Sequence, residues 1–185
     1  MKSTLIAALL LSLIPTLAVA GFADDLNKAT GSDLGSKASQ KASQAASDKA
    51  NKEAGAKFNK KLLAESRKNQ CSFKSGTAEL APGCDKKSKQ LADAIIEVKK
   101  ALQSQGQTGY KFIVSGHTDS TGDAAKNKEL SLQRAQVMMK ELISKGVATG
   151  DIEAVGMGSE QMLVKPDNTP AKKAKNRRYE IQIRF

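Results

Sequence analysis

The stretch from Tyr110 to Lys145 constrains the fold of this chain most. Residues 110–115 are rich in aromatic and β-branched side chains and stop at Gly116, which predicts a short strand ending in a turn. A polar loop follows, His117-Thr118-Asp119-Ser120-Thr121-Gly122. Over 125–145, Leu132, Ala135, Met138, Met139, Leu142 and Ile143 recur on one helical face, and Gly146 supplies a stop. Asn127, Ser131 and Arg134 stand at i, i+4 and i+7, a narrow strip beside that face. Arg134 is therefore expected at a rim, with its stem packed and its head reaching the Asp119 loop. A carboxylate and a planar guanidinium held this way can grip a zwitterion, the acid taking an ammonium and the guanidinium fork a carboxylate. An ordinary turn aspartate and a solvated helix arginine are the simpler reading of the same pair.

The flanking sequence supplies the other elements. Residues 70–75 read as a strand, Ala81-Pro82-Gly83 as a turn, and 86–103 as an amphipathic helix carrying Leu91, Ala94, Ile95, Val98 and Leu102. Residues 151–155 read as a strand, Gly156-Met157-Gly158 as a turn, 160–174 as a loop with a short helix, and 179–185 as a final alternating strand. The order β-α-β-α-β-β predicts an α+β two-layer sandwich over 71–185, a mixed sheet with helices on one face. Before it, 21–70 is polar and rich in alanine and lysine, a helical or disordered tether or a lone helix. Ala38, Ala42, Ala46, Ala50 and Ala54 recur every four residues and lead into Phe58 and Leu62, a shallow apolar stripe. Alanine buries little area, so a solvated helix or spacer is favoured over an oligomerising seam.

Residues 1–20 have the form of a signal peptide. Lys2 precedes an apolar run, Pro15 interrupts it, and Ala18-Val19-Ala20 offers a cleavage site, so the mature chain is expected to start at or near Gly21. An uncleaved anchor is the alternative, for which the run is short. Export gives Cys71 and Cys84 a meaning. In an oxidising compartment they are expected to form one disulfide, with two buried free thiols as the alternative. No metal site is expected, because His117 is the only histidine and the cysteines are not in a Cys-x-x-Cys pair. The net charge of +11 favours polyanionic partners. Export and the lack of Trp argue against nucleic acid and leave peptide carboxylates or anionic headgroups.

Three motifs carry a family resemblance. Thr118-Asp119, Leu130-Ser131, Arg134-Ala135 and Val137 resemble the peptidoglycan-binding motif of the OmpA-like C-terminal domain family. Phe73-Lys74-Ser75-Gly76-Thr77-Ala78-Glu79-Leu80 precedes it and Asn176-Arg177-Arg178-Tyr179-Glu180-Ile181 closes it, in family order. The resemblance implies the same α+β fold and a non-covalent grip on peptidoglycan. Asp119 would take the ammonium, and Arg134 the carboxylate, at the free end of diaminopimelate in the stem peptide. It further implies that Asn127 and Thr118 belong to the binding set, with Arg177 and Arg178 as further candidates. Lysine-type stems lack that carboxylate and would leave a guanidinium unpaired.

Catalysis is not expected. There is no nucleophile elbow, no second histidine for a triad and no phosphate loop, and no cofactor is implied. The lone His117 reads as a loop-orienting residue. The expected protein is an exported, periplasmic wall-binding module of a Gram-negative envelope, close to the outer membrane, with an envelope protein as candidate partner for 21–70. The competing class is a basic protein that binds anionic polymers or lipid by charge alone.

Overall fold

The computed structural model describes residues 33–74 and 76–185. The expected signal peptide and the first residues of the tether lie outside the described residues. In chain order the elements are α1 (Asp33–Lys68), α2 (Asp85–Ser104), β1 (Lys111–Gly116), α3 (Ala124–Ser144), a 3-10 turn (Thr149–Asp151), β2 (Ile152–Gly156), α4 (Pro170–Asn176) and β3 (Tyr179–Arg184). The strands form a sheet of order β2-β1-β3, parallel between β1 and β2 and antiparallel between β1 and β3. This is the α+β class with a mixed sheet that the sequence predicts. Phe112, Val114, Ile152, Ile181, Ile183 and Tyr179 share one core with Leu91, Ile95 and Val98 of α2 and Met138 and Leu142 of α3.

The helix α3 lies unusually close to the sheet because two strand residues have no side chain. A Cβ on Gly116 would stand 2.1 Å from the Ser131 carbonyl oxygen, and one on Gly156 would stand 2.5 Å from that of Lys128. Only glycine permits this approach. The contact is reinforced on its polar side: the Ser131 hydroxyl donates to the Lys128 carbonyl and accepts from the Gly158 amide at 2.9 Å, while the Gly158 carbonyl accepts from the Thr118 amide at 2.9 Å. One serine thereby ties the helix, the turn after β2 and the loop after β1.

The first strand departs from the sequence expectation. Residues 70–74 do not join the sheet, and the segment makes only an isolated antiparallel bridge, Phe73 to Leu80. The outer edge of β3 is covered by α1 instead. Ser66 Oγ accepts from the Ile181 amide at 3.1 Å, Asn59 pairs with both backbone groups of Ile183, and Gln70 pairs with both of Tyr179. A helix advances about 6 Å over four residues and a strand about 6.6 Å over two. Ser66 and Gln70 therefore meet alternate strand residues in step, and an edge that would otherwise offer unpaired groups is closed.

The compact unit that carries these contacts is Asp48–Phe185. Phe58 and Leu62 are buried in the common core, which departs from the solvated helix or spacer expected of this stretch, whereas residues 39–50 are exposed. Burying those two side chains contributes about 1.5–3 kcal/mol each. Cys71 and Cys84 are bonded, with 5.2 Å between their Cα atoms. The bridge closes the loop that holds Phe73 and Leu80, a constraint worth roughly 3 kcal/mol in the chain-entropy view.

Replacing Gly116 with alanine is expected to cost about 2 kcal/mol or more in urea unfolding, since backbone must move to admit the Cβ. Gly150 has open space around its Cα and no positive φ. Its alanine variant is expected to stay within ~0.5 kcal/mol of wild type.

Candidate functional site

The loop after β1 is held from several sides. His117 N–H donates to the Arg178 carbonyl and Thr118 N–H to that of Gly158, both at 2.9 Å. Ser120 N–H donates to Asp167 at 2.9 Å, and the Ser120 hydroxyl donates to the other oxygen of the same carboxylate. Asn127 donates through its side-chain amide to the Thr121 carbonyl at 2.9 Å, so it braces the far side of the loop. Asp167 also accepts from Asn176 at 3.1 Å, and these bonds, led by those from Ser120, hold its carboxyl down at about 2.

Within this frame Asp119 is nearly buried. One oxygen accepts from Thr121 N–H at 2.9 Å and the other from an Arg177 Nη at 2.7 Å. Burial by itself would push its pKa up. The hydrogen bonds from Arg177 and Thr121 and the charge of Arg177 outweigh burial and leave it below the usual carboxylate range. Arg134, three residues beyond Ser131 on α3, is 9% exposed, and its head is hydrogen-bonded to Thr77 and not to the Asp119 loop that the sequence suggested it would reach. Its Nε donates to the Thr77 carbonyl at 2.9 Å and its guanidinium lies over the Phe73 ring, 5.2 Å from the centroid. Its two Nη groups make no hydrogen bond among the described residues. Burial and the neighbouring Arg177 press its pKa down while Asp119 opposes them, so these three groups share one electrostatic field.

A cleft of about 490 Å³ opens here. Arg134, Phe73, His117, Arg177, Arg178 and the disulfide residue Cys71 line it, together with Arg67 and Lys175. The volume is in the range of small-ligand sites. Arg178 is a buried structural charge: it donates to Glu180 at 2.8 Å and to the Gln161 carbonyl at 3.0 Å. Thr118 is buried, and its hydroxyl has no hydrogen-bond partner among the described residues. His117 does not hold the loop through its ring. Both ring nitrogens are buried without a hydrogen-bond partner, and Glu180 stands 4.0 Å from Nε2. Burial first, and the charge of Arg178 second, push the imidazole down to about 4 against the pull of Glu180, so it is neutral near pH 7.

The structure thus brings Asp119, Arg134 and Arg177 together, with Arg178 behind them, while Asn127 and Thr118 serve the loop. Sequence reasoning missed Asp167 and Arg67. Asp167 lies 47 residues from the loop it pins and Arg67 in the stretch read as tether, so neither carried a local signal.

Residues 72–177 match the OmpA family. The chain belongs to that family. It is 41% identical over 73 residues to the peptidoglycan-binding protein ArfA of Mycobacterium tuberculosis, a match covering 40% of this chain and 22% of ArfA. To the outer membrane porin F of Pseudomonas fluorescens it is 44% identical over 70 residues, 38% of this chain and 21% of the porin. The chain therefore spans about a fifth of the length of these curated relatives. A MotB-like protein from Desulfovibrio vulgaris has the same fold, with a TM-score of 0.50 and 21% identity over 71% of this chain and 91% of that one. No helix among the described residues is long and apolar enough to cross a membrane.

Stability should fall on acidification in two separable windows. His117 is neutral in the fold and ionises more easily unfolded, so stability is lost as pH drops from about 6.5 to about 4, on the order of 3 kcal/mol. Asp167 has a depressed folded pKa, so its contribution is complete above its unfolded value near 3.8 and is lost as pH falls through about 2. Unfolding curves across pH should lose the upper limb in His117→Gln and the lower limb in Asp167→Asn. Unchanged curves in both variants would remove these groups from the account.

Proposed function

We propose that this chain is a non-catalytic module that binds peptidoglycan through the free zwitterionic end of diaminopimelate in the stem peptide. The observation that carries this reading is the pairing of an Arg134 whose Nη groups make no hydrogen bond among the described residues with an Asp119 whose charge is held by an exposed cation. Arg177 is substantially exposed, at 46% of its side chain, and occupies Asp119 as a ligand ammonium would. On binding, the ammonium replaces Arg177 on the carboxylate, and the ligand carboxylate meets Arg134 and the released Arg177. Charge is then conserved at each centre, and the hydrogen bonds formed are of the stronger, charge-assisted kind. A lysine-type end offers the ammonium without the carboxylate and leaves Arg134 unanswered.

The reading extends to the whole protein as an exported anchor of the cell envelope, with 71–185 as the wall-binding part and the preceding residues reaching toward an envelope partner. Family membership and the likeness to the peptidoglycan-binding protein ArfA support peptidoglycan as the ligand class. The rival reading, attraction of anionic polymer by the +11 chain, differs in how it responds to the loss of an acid.

Washed diaminopimelate-type sacculi distinguish the two. Asp119→Ala and Arg134→Ala should each lower retention at least tenfold at moderate salt, consistent with loss of a charge-assisted contact of ~1.5–3 kcal/mol. Binding by charge alone predicts opposite signs, with slightly better retention after losing Asp119 and slightly worse after losing Arg134, both fading in salt. Full retention of the Asp119 variant would falsify the zwitterion site.

A further inference from the structure

The charges around the cleft do not balance after the zwitterion is accommodated. Five cationic side chains line it, Arg67, Arg134, Lys175, Arg177 and Arg178, and no carboxylate does. Of the two carboxylates just behind, Asp119 is bonded by Arg177 at 2.7 Å and Glu180 by Arg178 at 2.8 Å. Arg134 is assigned to the ligand's terminal carboxylate. Arg67 and Lys175 have no hydrogen-bonded carboxylate among the described residues. Arg67 comes no closer than 3.7 Å to Glu180, beyond hydrogen-bond reach, and is more than half exposed. Lys175 is exposed and makes no ion pair among the described residues.

These two cations are not on loose segments. Arg67 sits in the last turn of α1, between Ser66 and Gln70, whose side chains are bonded to Ile181 and Tyr179 of β3. Lys175 sits in α4, beside Asn176, which is buried and bonded to Val164 and Asp167. Like charges held near one another in a cleft repel, and an anion between them relieves the repulsion. His117 supplies an independent observation. It is 2% exposed, lines the same cleft, and has two ring nitrogens without a partner among the described residues. A buried polar group in that condition gains most from a ligand that offers it a hydrogen bond.

We propose that Arg67 and Lys175 form a second anion subsite at the other end of the cleft, which takes a further carboxylate of the same stem peptide. The cleft then recognises a peptide with a zwitterionic end and a second acid close by. Arg67 lies outside residues 72–177, so this end of the cleft is contributed in part by the helix that precedes the family-matched segment. The inference rests on the zwitterion reading and adds a specificity to it: the module should distinguish a stem whose glutamate carboxylate is free from one in which it is amidated.

Calorimetric titration of the full chain tests this with two probes, L-alanyl-γ-D-glutamyl-meso-diaminopimelate and the same tripeptide with the glutamate α-carboxylate amidated. Wild type should bind the free acid about tenfold more tightly, the ratio expected for one hydrogen-bonded charge pair. Arg67→Ala should reduce that ratio to near one, and Arg67→Lys should retain most of the preference. Asp119→Ala should weaken both peptides alike. Equal affinities in wild type, or a full preference surviving in Arg67→Ala, overturn the second subsite and leave the zwitterion site standing. Failure of wild type to bind either peptide overturns both.

Discussion

The contact between the Ser131 carbonyl of α3 and the bare Cα of Gly116 governs the rest of the site. Strand β1 ends at that glycine and the functional loop begins with the next residue, while Arg134 stands one turn of helix beyond the serine. Any thickening of the interface would raise α3 off the sheet and change where Arg134 lies relative to Asp119. Gly156 makes the same close contact on β2, so the helix is seated against two parallel strands at once. Close packing of this kind leaves little freedom for adjustment, which suits a site whose parts come from a loop and a helix fifteen residues apart.

The charged groups follow a consistent arrangement around that seat. Arg178 and Glu180 are both buried and satisfy each other, so they form a fixed floor and not a reactive group. Asp119 and Arg177 are paired across a boundary between buried and exposed, which keeps the acid ionised while its partner remains free to move. Arg134 is desolvated on one side by the Phe73 ring and keeps its Nη groups for an incoming anion. The disulfide contributes by fixing the segment that carries Phe73, since Cys71 is held at one end both by Cys84 and by the hydrogen bond its backbone N–H donates to the Tyr179 hydroxyl at 3.1 Å.

The strand, loop and helix from 110 to 145 were legible because their periodicities are strong and local, and the rim position of Arg134 followed from helical geometry alone. The pairing of the cysteines followed from chemistry. The role of 59–70 was not legible. Asn59, Ser66 and Gln70 look like a solvated helix face in sequence, and only the presence of β3 more than a hundred residues later turns them into edge partners. A strand was expected at 70–75 on composition and resemblance. The edge it would have filled is occupied by side chains, which a pattern of alternating residues cannot reveal. His117 reads in sequence as a loop-orienting residue; its burial beside Arg178, with ring nitrogens that have no partner among the described residues, is a tertiary fact.

The central claim is that recognition is local, at Asp119 and Arg134, and not a property of the whole basic surface. Nitrogen-15 NMR of the full chain titrated with a meso-diaminopimelate tripeptide, and separately with its lysine counterpart, measures this directly. The account predicts saturable shifts of the Arg134 Nε–H and of the backbone amides from Thr118 to Thr121 with the diaminopimelate peptide, and much weaker ones with the lysine peptide. Equal responses to both peptides, spread over the exposed lysine-bearing residues 39–50 with Arg134 unmoved, would contradict it.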